Sequence, residues 1–111
     1  MLWQLWRLNS NLGQRVILVH QDPFIIGSAI DCNLREPISS VSSHHCRLFQ
    51  KDGNLYLEDT GSLNGTYVNG QRLVEPSKLR SNDIIEFGST WMVIGVREDC
   101  QWIKTKMLLS A

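Results

Sequence analysis

Several things are scarce in this chain, and each scarcity removes a class of function. Neither sign of charge is in excess: 11 Lys and Arg residues balance 11 Asp and Glu residues, for a formal net charge of zero at pH 7. Without a basic field there is no long-range attraction toward nucleic acid, so direct nucleic-acid binding is not expected and an anionic ligand must be held by local geometry. No apolar run approaches the ~18 residues of a membrane span, and Gln4 and Arg7 interrupt the apolar opening where a secretory signal would be continuous. Cysteine is limited to Cys32, Cys46 and Cys100, an odd number with no C-x-x-C spacing. That predicts reduced thiols in the nucleus or cytosol, not a disulfide framework. No stretch of ~10 residues carries apolar positions at helical spacing. A Gly-x-Ser-x-Gly elbow and a Gly-Lys-Ser/Thr sequence are both missing, which argues against a serine hydrolase and a phosphate-cradling P-loop. No enzyme and no cofactor are expected.

What is present is strand and turn chemistry. The chain has 111 residues, 42% hydrophobic and 20% charged, enough to bury one core, and residues 1–111 read as a single domain cut from the N-terminus of a longer protein. Residues 2–8 are apolar on both faces of a strand, and residues 15–20 form a β-branched run, together a first hairpin. Residues 24–27 read as a short buried strand ending in Gly27. Alternating runs at 45–50 and 55–59 flank a turn at 51–54, and runs at 84–87 and 91–94 flank Gly88-Ser89. Short strands at intervals of roughly 8–12 residues with Gly, Asn and Asp between them predict an all-β, antiparallel sandwich. The densest turn chemistry lies at 59–70, where Asn64-Gly65 and Asn69-Gly70 flank Thr66-Tyr67-Val68. Asn-Gly favours type I′ turns. Two such turns are expected at one end of a sheet, joined there by the serine-rich residues 39–43 and the loop after Gly27 to make a binding end.

These motifs resemble the forkhead-associated (FHA) family of phosphothreonine-binding sandwiches. Ser42-Ser43-His44-His45 is similar to its Ser-x-x-His element. Ser62-Leu63-Asn64-Gly65-Thr66-Tyr67-Val68-Asn69-Gly70 follows its Ser-x-Asn-Gly-Thr-x-x-Asn-Gly element, and the similarity extends from about Phe24 to Ile94. The resemblance implies two sheets with about eleven short strands. It also implies a phosphopeptide site at Ser28, Ser42, Ser43, Leu63, Asn64, Thr66 and Asn69, with Gly27, His45 and Gly65 as structural support. His45 is implied to tie two loops together.

The departures from the pattern shape the expected function. Ser28 stands where the family has a phosphate-binding arginine, Ser43 where arginine or asparagine is frequent, and Leu63 where a polar residue is common. A hydrogen bond to a charged group is worth about 1.5–3 kcal/mol, so losing one or two predicts phosphothreonine binding weakened by roughly 10- to 10⁴-fold. The expectation is a degenerate site that binds phosphothreonine peptide weakly or not at all. The alternative is a working reader in which Arg35, Arg47 or backbone amides replace the missing arginine. The four tryptophans supply a second expectation, a homodimer with Trp3, Trp6 and Trp102 as interface candidates. The resemblance to N-terminal FHA domains of DNA-damage adaptors implies protein partners and a nuclear setting, with the cytosol as the other possibility. Two chemical readings weigh less. Ser42, His45 and Asp59 could form a hydrolase triad, and Cys32, His44, His45 and Cys46 could ligate a metal. Adjacent strand residues point to opposite faces, so His44, His45 and Cys46 cannot all converge, and no metal site is expected.

Overall fold

The computed structural model describes residues 2–8 and 16–97. Two sheets face each other. The first has the order β2 (Val16–Val19), β1 (Leu2–Arg7), β11 (Thr90–Arg97), β10 (Ile84–Phe87), β7 (Thr66–Val68), β8 (Gln71–Arg72). The second has the order β4 (Leu34–Arg35), β3 (Phe24–Gly27), β5 (Cys46–Lys51), β6 (Asn54–Asp59), β9 (Ser77–Lys78). The architecture is thus an eleven-strand, all-β sandwich, and no helix occurs among the described residues.

Alternation explains the layers. Leu5 on β1, Met92 and Ile94 on β11 and Ile85 on β10 point inward from the first sheet, and Ile26, Leu48 and Leu57 meet them from the second. β1 pairs with both β2 and β11 within the sheet, and Trp3 and Leu5 share its core-facing side. Trp3 belongs to this core, with 7% of its surface exposed, so it is not available as a dimer contact. Trp102 lies outside the described residues, as does Cys100.

The tight turns are set by residue type. Asp52-Gly53 (φ 54° and 77°) joins β5 to β6, and Asn69-Gly70 (φ 50° and 83°) joins β7 to β8, both with the left-handed backbone a type I′ turn demands. Asn64-Gly65 departs from expectation. β6 and β7 lie in different sheets, so residues 60–65 cross between the layers and form no hairpin, and of the Asn64-Gly65 pair Gly65 alone has positive φ. The two Asn-Gly pairs also sit at opposite ends of β7. Thr66 pairs with Phe87 beside the Asn64 end, whereas Val68 pairs with Ile85 beside the Asn69 end.

β3 and β4 are the one parallel pair among the described residues, linked by residues 28–33. A connection this short suffices because β4 is two residues long and Asn33 substitutes for a longer ladder: its Oδ1 accepts from Ile25 N at 2.7 Å. At the sheet junction, Arg7 and Glu36 form a buried bidentate ion pair at 2.8 and 2.5 Å, and Thr90 Oγ1 donates to the same carboxylate at 3.1 Å. Glu36 N also donates to Gly27 O at 2.8 Å, so the pair fixes where the 36–45 loop departs from the edge strand.

Candidate functional site

Three loops leave the same end of the sandwich: 28–33 after β3, 36–45 before β5, and 60–65 between β6 and β7. Two backbone bonds lock the first two together, Ser28 N to Ser42 O at 3.0 Å and Ala29 N to Ser43 O at 3.1 Å. Gly27 makes that approach possible. A Cβ there would lie 2.1 Å from Ser43 O, so any side chain would force the loops apart.

His45 joins the second loop to the third. It is fully buried, its Nδ1 accepts from Ser42 N at 3.1 Å, and its Nε2 lies 2.8 Å from Gly65 O, which fixes the Nε2–H tautomer. Ser42 Oγ accepts from Leu63 N at 3.0 Å, and Asn64 Nδ2 donates to Ser40 O at 3.0 Å. The Ser42 hydroxyl proton stays free of these ties and can be given to a ligand. Gly88 and Ser89, in the β10–β11 turn, complete the floor: Ser89 N donates to Ser40 Oγ at 3.1 Å.

Asp59 organises the third loop. Its carboxylate accepts from Gly61 N and Ser62 N at 3.1 Å each, from Thr66 Oγ1 at 2.6 Å and from Ser62 Oγ, while Ser62 Oγ in turn accepts from Gly65 N at 2.9 Å. Partial burial opposes the Asp59 charge, but the hydroxyl bonds from Ser62 and Thr66 and the two amide bonds outweigh it, and the carboxyl is held below its usual range. The Asp-x-Gly-Ser run is the sequence signal of such an Asx turn. Thr66, expected to face a peptide, is fully buried and serves as a tie to Asp59. Asn69 is also redirected. Its side chain bonds Asp83 Oδ1 at 3.0 Å and Ile84 N at 2.9 Å, bracing the far turn of β7 and not the loop end.

The hydrolase triad is not assembled, because both His45 ring nitrogens are engaged elsewhere and Asp59 is occupied by its own loop. His45 and Cys46 are both buried, and burial pushes the Cys46 thiol far above its ordinary pKa, an inert group.

The rim carries half-buried Ser28 and exposed Ser43, Leu63 and Asn64, with Leu63 85% exposed. The two candidate cations differ. Arg47 is occupied, its Nε donating to Glu58 at 2.7 Å and its guanidinium lying 5.0 Å from the centre of the Phe49 ring. Arg35 points the other way: its Nε donates to Ser28 O at 3.1 Å, which brings a guanidinium to the very residue where an arginine is missing. The parallel β3–β4 pairing, with Gly27 opposite Arg35, is what delivers it there. Short-range sequence pattern offers no signal for this placement, since a two-residue strand has no periodicity.

Known proteins agree with this geometry. The family model of the FHA domain matches residues 24–88. Zeaxanthin epoxidase, chloroplastic, of Arabidopsis thaliana is 42% identical over 79 residues, covering 60% of this chain and 12% of that enzyme. The chain therefore spans a small part of the length of that relative. A chain solved in a study of phosphothreonine-dependent FHA domain interactions superposes with a TM-score of 0.79 at 23% identity, over 89% of this chain and 100% of the other. The MEK1 FHA domain in complex with the HOP1 pThr318 peptide superposes with a TM-score of 0.68 at 30% identity, over 86% and 97%. With the family model matching more than half its length and both sheets in place, the chain belongs to the FHA domain family.

Proposed function

We propose that the loop end is a phosphothreonine-peptide reader in which Arg35 replaces the arginine absent at Ser28. The observation that carries this reading is the 3.1 Å bond from Arg35 Nε to Ser28 O. That bond uses one of five guanidinium donors, and among the described residues no hydrogen bond engages the two terminal nitrogens, which suits them to a phosphate of about −1.5 to −2 charge. Ser42 Oγ–H supplies a second donor, and Asn64, anchored on Ser40, is placed to meet the peptide backbone. The MEK1 domain is similar in fold and binds such a peptide in its complex, which supports the ligand class. The chain's role is then that of a non-catalytic interaction module.

Anisotropy titration of a phosphothreonine peptide tests this against the degenerate-site reading. Arg35→Ala is expected to weaken binding by about 10- to 100-fold, the equivalent of one hydrogen bond to a charged group. Arg47→Ala should leave it unchanged, and Ser28→Arg should add little. A large gain on Ser28→Arg, with no effect of Arg35→Ala, would favour the degenerate site.

A homodimer is a second proposal, resting on the outer face of the first sheet. Inward-facing Ile17, Val19 and Met92 leave Leu18 and Trp91 on that face, 44% and 42% exposed. Trp6, half-buried on the same face, stays a candidate. Sedimentation showing only monomer at tens of micromolar would count against it. Both proposals concern surfaces of this domain and do without the nuclear, DNA-damage setting that the family resemblance implies.

A further inference from the structure

The expectation that His44, His45 and Cys46 cannot converge assumed a strand through all three, but β5 begins at Cys46, and His44 in the preceding loop meets other donors across the loops. Asp31 and Cys32 come from the 28–33 loop and His44 from the 36–45 loop, and one donor atom from each lies within 4.8 Å of the other two. His44 Nε2 is 3.0 and 3.1 Å from the two Asp31 oxygens, and Cys32 Sγ donates to Ser43 O at 3.2 Å. The backbones that carry these groups are fixed. Ala29 N bonds Ser43 O at 3.1 Å, Cys32 N bonds Ala29 O at 3.2 Å, and Thr60 Oγ1 bonds His44 O at 2.6 Å.

We propose that Asp31, Cys32 and His44 form a zinc-class divalent metal site that clamps the 28–33 loop to the 36–45 loop. The donor set is a carboxylate, a thiolate and an imidazole, which selects zinc-like ions over magnesium or calcium. Bonds of roughly 2.0–2.3 Å at tetrahedral angles set donors about 3.3–3.8 Å apart, so donors within 4.8 Å need close by only about an ångström. The ion takes the place of the proton between His44 Nε2 and Asp31, and the thiol proton leaves to solvent. An ionised Asp31 and a thiolate then balance the two positive charges of the ion, with neutral His44 as third ligand and water in the fourth position. The metal must displace the Cys32 thiol proton. Since Asp31 and His44 lie three and two residues from Ser28 and Ser42, the clamp would stiffen the rim proposed to hold phosphate.

The test uses Co²⁺ as probe on the 111-residue chain without peptide, so its outcome is separate from that of the phosphopeptide reading. Expected is one Co²⁺ per chain, with a sulfur-to-cobalt charge-transfer band that disappears in Cys32→Ser and persists in Cys100→Ser. His44→Gln alters an exposed side chain and spares the fold, and it should weaken binding by about 10-fold or more. Zinc at ~100 times its Kd should raise the melting midpoint of the unmodified chain by about 10 °C and that of His44→Gln by much less. Absence of the band, or a band that survives Cys32→Ser, would overturn the site. Binding with no rise in the midpoint would overturn the clamp.

Discussion

Replacing Arg7 with methionine should destabilise the domain more than any single change on its rim. The guanidinium and the Glu36 carboxylate are 5% and 6% exposed and meet in two parallel hydrogen bonds. Arg7→Met keeps most of the aliphatic bulk but leaves a buried carboxylate with the Thr90 hydroxyl as its remaining side-chain donor in the triad. Stranding one member of a buried pair costs about 3–5 kcal/mol, against a total stability of roughly 5–15 kcal/mol for a domain. Urea unfolding should show the midpoint falling with an unchanged slope, and thermal unfolding should shift down by about 10–20 °C. Arg7→Met combined with Glu36→Leu removes both charges and should recover most of the loss, giving a coupling of about 2 kcal/mol or more. A single-mutant cost below ~1 kcal/mol, the range of exposed pairs, would refute the claim that this junction is dry and fixes the 36–45 loop.

Other consequences can be checked alongside it. Gly27→Ala should cost at least about 1–3 kcal/mol, because its methyl would collide with Ser43 O, and it should speed exchange of the Ser28 and Ala29 amides. Asp59 contributes stability that depends on pH. Its folded pKa lies below its unfolded value, so the contribution is complete above pH ~4 and fades as pH falls through the folded value. Comparison with Asp59→Asn by denaturation across pH 2–7 should give a stability gap that narrows only at the acid end; a gap that widens there would contradict the hydrogen-bond assignment. His45→Ala would orphan Ser42 N and Gly65 O at once, and should abolish peptide binding even where far-UV spectra show the sheets intact.

Local sequence carries some of this structure well and some not at all. The strand at Phe24–Gly27, the 52–53 hairpin and the turn at Gly88-Ser89 follow from residue type over a few positions, and so does the two-sheet class. The meaning of Asn64-Gly65 does not, because a turn dipeptide cannot say whether its flanking strands share a sheet, and here they do not. Trp3 reads as an interface residue because β1 is apolar on both faces; in the sandwich it shares the inward face with Leu5, which puts that ring in the core. Arg7 with Glu36, and Asp31 with His44, are partners 29 and 13 residues apart, and no periodicity links them. Arg35 belongs to the same class. Its placement depends on a parallel edge pairing two residues long, too short to leave a pattern.

The central claim is that this loop end recognises phosphate through Arg35. A titration of matched threonine and phosphothreonine peptide libraries against the unmodified domain and Arg35→Ala tests it most directly. The account predicts micromolar binding that requires the phosphate and drops by about 10- to 100-fold in the variant. Equal affinity for both libraries, or no binding by the unmodified domain at millimolar peptide, would contradict it.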